Sequence, residues 1–420
     1  MSGSYAGWGP VLFGADAEHA LALAEGIAAA LRAPENQEHV SALGPSYSGG
    51  WMGIALALDA TGDREGALHL AERAIDWASA ASFDPRLYIG DPGIAFSLDV
   101  LAGDEADDED GDVDEALAKL VTSASPWPGS YDLIHGIVGI GTYALSRLRR
   151  VADPDRSTNR WTAEQVVERL GELATDTPAG TTWVTRIETL PVKGDRADRY
   201  PDGYYDMGLA HGIAGVVTFL AGATAAGVPG ASDLLERAVP WVLEQGANGS
   251  YPLLFGPGDP PQHGRIAWCY GDPSVAIALL AAGRALGADD VVDAARRLTR
   301  LAAARPREAS GVVDAMLCHG SAGLGHLFNR LAHQLGDDQV EATARGWYLA
   351  AIAAHDASVA LGGFLGFRPP REGHPGGYAP VAGLLEGSAG VALTFVAAAT
   401  GADPVWDELF LLRPVAEAGR

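Results

Sequence analysis

The chain has 420 residues, 48% hydrophobic and only 20% charged, and a formal net charge of −25; this is an ordered globular composition and excludes an intrinsically disordered chain. Such an acidic excess argues against nucleic acid or an anionic membrane as partner, because neutralising phosphates needs clustered Lys and Arg, and it favours a cationic one. No apolar run approaches the roughly 18–20 residues that cross a bilayer, and the first basic residue is Arg32, so no secretory n-region is expected and the chain reads as cytoplasmic.

The first predicted helix is Asp16–Leu31, where apolar residues recur at helical spacing until Pro34 ends the segment. After a Gly/Ser/Pro loop, SYSGGWMGIALAL opens on Gly50 and Gly53 and is almost wholly apolar. The alternation then recurs. Charged amphipathic helices are expected at 64–80, 113–123, 162–175, 231–245, 289–304 and 338–355, each followed by a loop and a glycine-opened apolar helix. The opening pairs are Gly50/Gly53, Gly90/Gly93, Gly136/Gly139, Gly212/Gly215, Gly271/Ser274, Gly320/Gly323 and Gly387/Gly390.

Helices apolar all round are buried and those with one polar face lie outside. The expected fold is therefore all-α, an α/α toroid of seven inner and seven outer helices, forming one domain over residues 1–420. The acidic run Asp104–Glu115 reads as a solvated loop. Between the third and fourth openings, residues 178–206 include TTWVTRIETLPV, whose β-branched and aromatic alternation predicts short strands, an insertion near the mouth of the site. Residues 362–384, rich in Gly and Pro, read as a long ordered loop.

Aligning the seven openings places Gly49, Ile89, His135, His211, Tyr270, His319 and Glu386 just before the first glycine, and Ser48, Tyr88, Ile134, Ala210, Cys269, Cys318 and Leu385 one position earlier. The only two cysteines share one column, and His319 stands in the next. Two thiolates and an imidazole fit zinc, whose catalytic sites keep three protein ligands and one open position. Taken singly, each cysteine reads first as a buried apolar thiol, and it is their shared place in the repeated pattern that favours the metal. A disulfide framework is not implied by two cysteines in a chain of this size.

The ordered motifs YDLIHG, GLAHGIAG, RIAWCYG and LCHGSAG, spread over nearly the whole chain, resemble the lanthionine synthetase C-like family of zinc-dependent peptide cyclases. The resemblance implies an α/α toroid that adds precursor-peptide cysteine thiols to dehydroalanine or dehydrobutyrine, forming (methyl)lanthionine thioether rings. It implies one zinc held by Cys269, Cys318 and His319, an acid/base histidine at His211, an active-site aspartate at Asp132, and Arg265 and Tyr270 flanking the metal. It also implies a dehydrated precursor peptide as substrate, a separate dehydratase and an exporter as partners, and association with a membrane only through that complex.

Plainer roles compete for the same residues. Asp132 can cap a helix, since Asp is a preferred N-cap; Arg265 can pair with a carboxylate; Tyr270 can be packing; Trp268 reads as wall, and His135 and Glu386 as lining. Three other functions compete as well: addition of glutathione or another small thiol to dehydroamino acids, a glycoside hydrolase using Asp132, Asp206 and Glu386, and a non-catalytic scaffold that keeps zinc for stability.

Overall fold

The computed structural model describes residues 8–106, 109–246, 249–256, 259, 264–370 and 375–416. The chain divides into two compact units, one built from Met1–Asp84, Tyr88–Ala106 and Pro306–Asp407, the other from Pro85–Leu87, Asp107–Arg305 and Glu408–Arg420.

The first unit holds four glycine-opened helices, Trp51–Ala60, Asp91–Ala102, Ser321–Leu335 and Ser388–Ala399. Its amphipathic helices are Ala15–Arg32, Arg64–Ala80 and Asp338–Ala353. In Trp51–Ala60 every residue from Trp51 to Leu58 is buried, and each large apolar side chain so removed from water contributes about 1.5–3 kcal/mol. Residues 362–384, expected as a loop, instead carry an antiparallel pair of strands, Leu365–Arg368 and Gly377–Pro380, with Phe367 opposite Tyr378. Within these strands the only strand signal is Phe367 and Tyr378, set among Gly and Pro that mask it; residues 371–374 lie outside the described residues.

The second unit holds Ile137–Leu148, Ile213–Ala225 and Asp272–Leu286 as glycine-opened helices, and Asp112–Thr122, Thr158–Leu173, Ala231–Gln245 and Asp289–Ala303 as amphipathic ones. Asp289–Ala303 buries Val291, Ala295, Leu298, Thr299 and Ala302, a single stripe at helical spacing. Thr158–Leu173 begins four residues before the expected start because Ser157 accepts a hydrogen bond from the Asn159 N–H and caps it there. Thr175, read as helix, is in a strand: Thr175–Thr177 pairs with Gly180–Thr182, and Tyr205–Asp206 pairs with Leu254–Phe255. Trp183, inside the predicted strand stretch, is fully buried and donates its indole N–H to the Leu170 carbonyl at 2.9 Å.

The acidic run is only in part the expected loop. Asp107 and Asp108 lie outside the described residues, but Asp112 starts a helix. Asp114 is buried, accepts the Gly111 N–H at 2.7 Å and faces Arg147 at 3.5 Å. Asp110 accepts from Ser157 Oγ and Asn159 Nδ2 at 2.7 and 2.9 Å. These bonds outweigh its burial and hold its carboxyl below the usual range. A run of like charge in sequence thus hides two aspartates that act as caps.

All seven expected glycines, Gly50, Gly90, Gly136, Gly212, Gly271, Gly320 and Gly387, are the N-caps of their helices. A glycine offers no side chain to the orphan N–H groups of the first turn, so the preceding loop wraps back to supply main-chain carbonyls. Trp51 N–H donates to Gly44, Asp91 to Asp84, Ile137 to Ser130, Ser321 to Asp314 and Ser388 to Val381, at 2.8–3.1 Å. The wrap demands close backbone approach: a Cβ on Gly212 would sit 2.1 Å from the Asp206 carbonyl oxygen. Gly271 alone among the seven has positive φ, +108°, and it heads the opening in which Ser274 replaces the second glycine.

Successive loops are also laced to one another. In the first unit, Cys318 N–H donates to Leu385 O (2.8 Å), Leu385 N–H to Ser48 O (2.7 Å) and Ser48 N–H to Tyr88 O (3.0 Å). In the second, Leu133 N–H donates to Ala210 O (3.2 Å), and Leu209 and Ala210 N–H both donate to Cys269 O (3.0 and 3.4 Å).

Candidate active site

In the second unit this lacing brings the loops ahead of Gly136, Gly212 and Gly271 side by side. His211 Nδ1 lies 2.8 Å from Asp132 Oδ2. The other oxygen of Asp132 accepts the His135 N–H at 2.6 Å, which locks the carboxylate in place. Asp132 is therefore both the cap-like residue and the partner of His211, so the two readings of it are compatible. Burial would lower the His211 pKa, but the hydrogen bond and charge of Asp132, with negative charge at Asp206 and Cys269, outweigh it and raise it above the ordinary value. His135 stacks on His211, ring centroids 5.8 Å apart.

Tyr270 follows Cys269, and its hydroxyl donates to Asp206 Oδ2 at 2.9 Å. Burial and the adjacent Asp206 carboxylate push the Tyr270 phenol well above its usual range, so it is a hydrogen-bond donor and not a phenolate. Burial also raises the Asp206 carboxyl, with His211, the Gly208 N–H and Tyr270 working against the rise. Cys269 is buried, and Arg265 points a guanidinium Nη2 at its sulfur, 3.7 Å away. Trp268 is fully buried, its indole N–H donated to the Phe410 carbonyl at 2.9 Å, which makes it wall, as expected.

In the first unit, Cys318 and His319 are both buried at the mouth of the helix Ser321–Leu335. His319 Nε2 stands 3.8 Å from Asp314 Oδ2. Glu386, in the same column as His319, is ion-paired with Arg368 on the strand Leu365–Arg368. The three carboxylates that a glycoside hydrolase would need, Asp132, Asp206 and Glu386, are thus engaged by His211, Tyr270 and Arg368 respectively.

Asp314 went unnoticed in the sequence, and Asp206 was considered only as a hydrolase carboxylate. The signal was available one step further from the glycine: the sixth residue before each opening reads Gly44, Asp84, Ser130, Asp206, Arg265, Asp314 and Val381. That column collects three aspartates and the arginine, and it is as polar as the two columns nearer the glycine.

Paired helices opened by glycine, with cysteine, histidine and aspartate gathered ahead of the openings, define an all-α protein built of repeated helix pairs. A family model described as lanthionine synthetase C-like protein matches residues 41–411, and the chain belongs to that family. A solved structure titled nisin cyclase superposes with a TM-score of 0.70 at 20% identity, covering 90% of this chain and 95% of the other. That likeness fixes the fold as an α/α toroid. The nisin biosynthesis protein NisC of Lactococcus lactis subsp. lactis is 28% identical over 221 residues, 49% of this chain. The match spans about half the length of that relative.

Proposed function

We propose that the chain is a lanthipeptide cyclase that uses one zinc ion, held by Cys269, Cys318 and His319, to join cysteine thiols of a dehydrated precursor peptide to dehydroalanine or dehydrobutyrine. Family membership over residues 41–411 supports the reading, and so does the relative named for nisin biosynthesis. Among the described residues, these three are the one group of His, Cys and acidic side chains suited to a metal ion. The donor set itself fits: two thiols and an imidazole, all buried, match zinc's preference for sulfur and nitrogen. Zinc, when bound, supplies the acidity that turns a peptide thiol of ordinary pKa about 8.5 into a thiolate at neutral pH.

The chain's own residues account for the remaining chemistry. Sulfur bonds to Cβ of the dehydroamino acid, the carbon–carbon π bond breaks, and its electron pair moves to Cα and the neighbouring amide oxygen. A proton at Cα completes a net addition with no change of oxidation state. His211 carries that proton: Asp132 holds the imidazole through Nδ1 and its charge favours the protonated form, which leaves Nε2 as the nitrogen for the substrate. Arg265, beside the Cys269 sulfur, offers positive charge to the oxygen where negative charge develops. Tyr270 contributes a hydroxyl anchored on Asp206.

The observation that carries the proposal is the 2.8 Å His211–Asp132 pair in the same laced row of loops as Cys269. On this reading a separate dehydratase makes the substrate, an exporter removes the product, and the reaction takes place in the cytoplasm. The test is zinc content together with turnover of a dehydrated, cysteine-containing peptide, followed by loss of alkylatable thiol. About one zinc per chain, lost in Cys269→Ala and in Cys318→Ala together with thiol consumption, is expected. A protein that binds no zinc when it is supplied, or that leaves every peptide thiol alkylatable, overturns the proposal.

A further inference from the structure

Asp206 and Asp314 occupy the same position in two different repeats, six residues before the helix-opening glycine. Asp206 is buried, and Asp314, half-buried as a residue, has its side chain wholly covered. Each uses Oδ1 in the same way, accepting the N–H two residues on: Gly208 N–H to Asp206 at 2.9 Å and Met316 N–H to Asp314 at 3.0 Å. This is the Asx turn, a local device by which Asp or Asn fixes its own loop. With Oδ1 so engaged, Oδ2 is left with one direction, and in each repeat it faces a residue of the candidate site. In one it receives the Tyr270 hydroxyl at 2.9 Å; in the other it lies 3.8 Å from His319 Nε2, a charge contact and not a hydrogen bond.

We propose that Asp206 and Asp314 are a repeated pair of positioning carboxylates, Asp206 aiming the Tyr270 hydroxyl and Asp314 orienting the His319 imidazole for the metal. The inference rests on the zinc-cyclase reading given above. Asp314 has further grip: its main-chain carbonyl accepts the Ser321 N–H at 3.0 Å, and Oδ2 also accepts the Phe367 N–H at 2.9 Å. Asp314 therefore ties the loop and the strand Leu365–Arg368 through its carboxylate, and the start of the helix through its main-chain carbonyl. Because Nε2 is the nitrogen that faces Asp314, ligation of the metal falls to Nδ1. A carboxylate behind a metal-binding imidazole fixes the ring and raises its basicity, and its loss weakens metal binding by roughly 10–100-fold in general.

Asparagine separates the turn from the charge, since its side-chain oxygen still makes the Asx turn. For Asp314→Asn the experiment is zinc affinity by competition with a chromophoric chelator, and the visible absorption of the cobalt(II)-substituted protein. The expected result is zinc binding roughly 10-fold weaker or more and a shifted cobalt band, in a metal-free protein that stays folded by circular dichroism but melts somewhat lower, because the amide that replaces Oδ2 no longer accepts the Phe367 N–H. For Asp206→Asn it is a cycle with Tyr270→Phe, in which kcat falls about equally in both single variants and no further in the double.

If the unaltered chain holds no zinc, the functional reading fails and takes this inference with it. If the unaltered chain binds zinc and Asp314→Asn binds it as tightly with an unchanged cobalt spectrum, the role of Asp314 alone is overturned. Full additivity of Asp206→Asn and Tyr270→Phe overturns the role of Asp206.

Discussion

His211 and Asp132 come from loops that precede two different helices, 79 residues apart in sequence, and their side chains meet at 2.8 Å. The His211 pKa is raised by that contact against the effect of burial, so the imidazole keeps its proton to a higher pH than a free histidine does. Activity that needs the protonated form falls as pH rises through that pKa. Asp132→Asn removes the charge, so the alkaline fall in kcat moves to lower pH. His211→Ala is expected to lower kcat about 10²–10⁴-fold. A pH–rate profile of Asp132→Asn that overlays the original rules out the assigned pairing.

Arg265 is placed by its 3.7 Å approach to the Cys269 sulfur. Arg265→Met keeps a long side chain without charge, and we expect kcat to fall about 10²-fold or more while the protein stays folded, the cost of removing one group that stabilises developing charge. Arg265→Lys restores part of the charge without the planar fork, so an intermediate rate is expected. Steady-state kinetics with a dehydrated peptide, alongside circular dichroism, decide the point.

Two glycines give opposite forecasts. A Cβ on Gly212 would lie 2.1 Å from the Asp206 carbonyl oxygen, main chain that cannot step aside, so Gly212→Ala should destabilise by about 1–3 kcal/mol. Gly171, in the helix Thr158–Leu173, has nothing within 4 Å of its would-be Cβ. Gly171→Ala should therefore stabilise by about 0.5–1 kcal/mol. Denaturant unfolding of the two variants reads both signs in one experiment.

Acid should destabilise the protein through buried ion pairs that take no part in the proposed chemistry. His326 is fully buried, its Nε2 2.7 Å from Asp407, and Arg330 grips the same carboxylate with two nitrogens, each at 2.8 Å. Burial, more than the opposing pull of Asp407, lowers the His326 pKa. Despite burial, Arg330 and His326 lower that of Asp407, and Arg149, Arg150 and Arg413 lower that of Glu408. All three groups bind protons more readily unfolded than folded. Their stabilisation is complete above their unfolded values, begins to fade below about pH 6.5 for His326 and is lost further below about pH 4–4.5 for the two carboxylates. His211 and Asp206, whose values are raised, work in the opposite direction, so the sign is read from variants: the acid-induced fall in melting temperature should be smaller in Arg330→Leu, which strands Asp407 and should cost about 3–5 kcal/mol.

Much of this was legible in the sequence because glycine and hydrophobic period report backbone geometry directly. Every expected opening glycine is a helix cap, and the seven amphipathic helices stand close to their expected bounds. What stayed hidden was side-chain pairing over distance. Ser157 capping a helix early, Asp110 and Asp114 acting inside an acidic run, and Asp314 serving His319 are facts about where loops return, which composition does not record. The hairpin within 362–384 was missed because Gly366, Gly377 and Pro380 stand inside its strands, where such residues are disfavoured, and only Phe367 and Tyr378 carry a strand signal.

The lacing between loops has a further consequence. Cys269 joins the lacing of one unit through a carbonyl and Cys318 that of the other through an N–H, so neither thiol is part of the main-chain bonds that hold its own row of loops together. Each row behaves like a rack whose rails are peptide groups and whose sockets are side chains: the tool in a socket can be changed while the rails stay up. Such a scaffold lends itself to redesign, since a new trio of ligands or a new acid can be installed in those columns without first inventing a way to hold them.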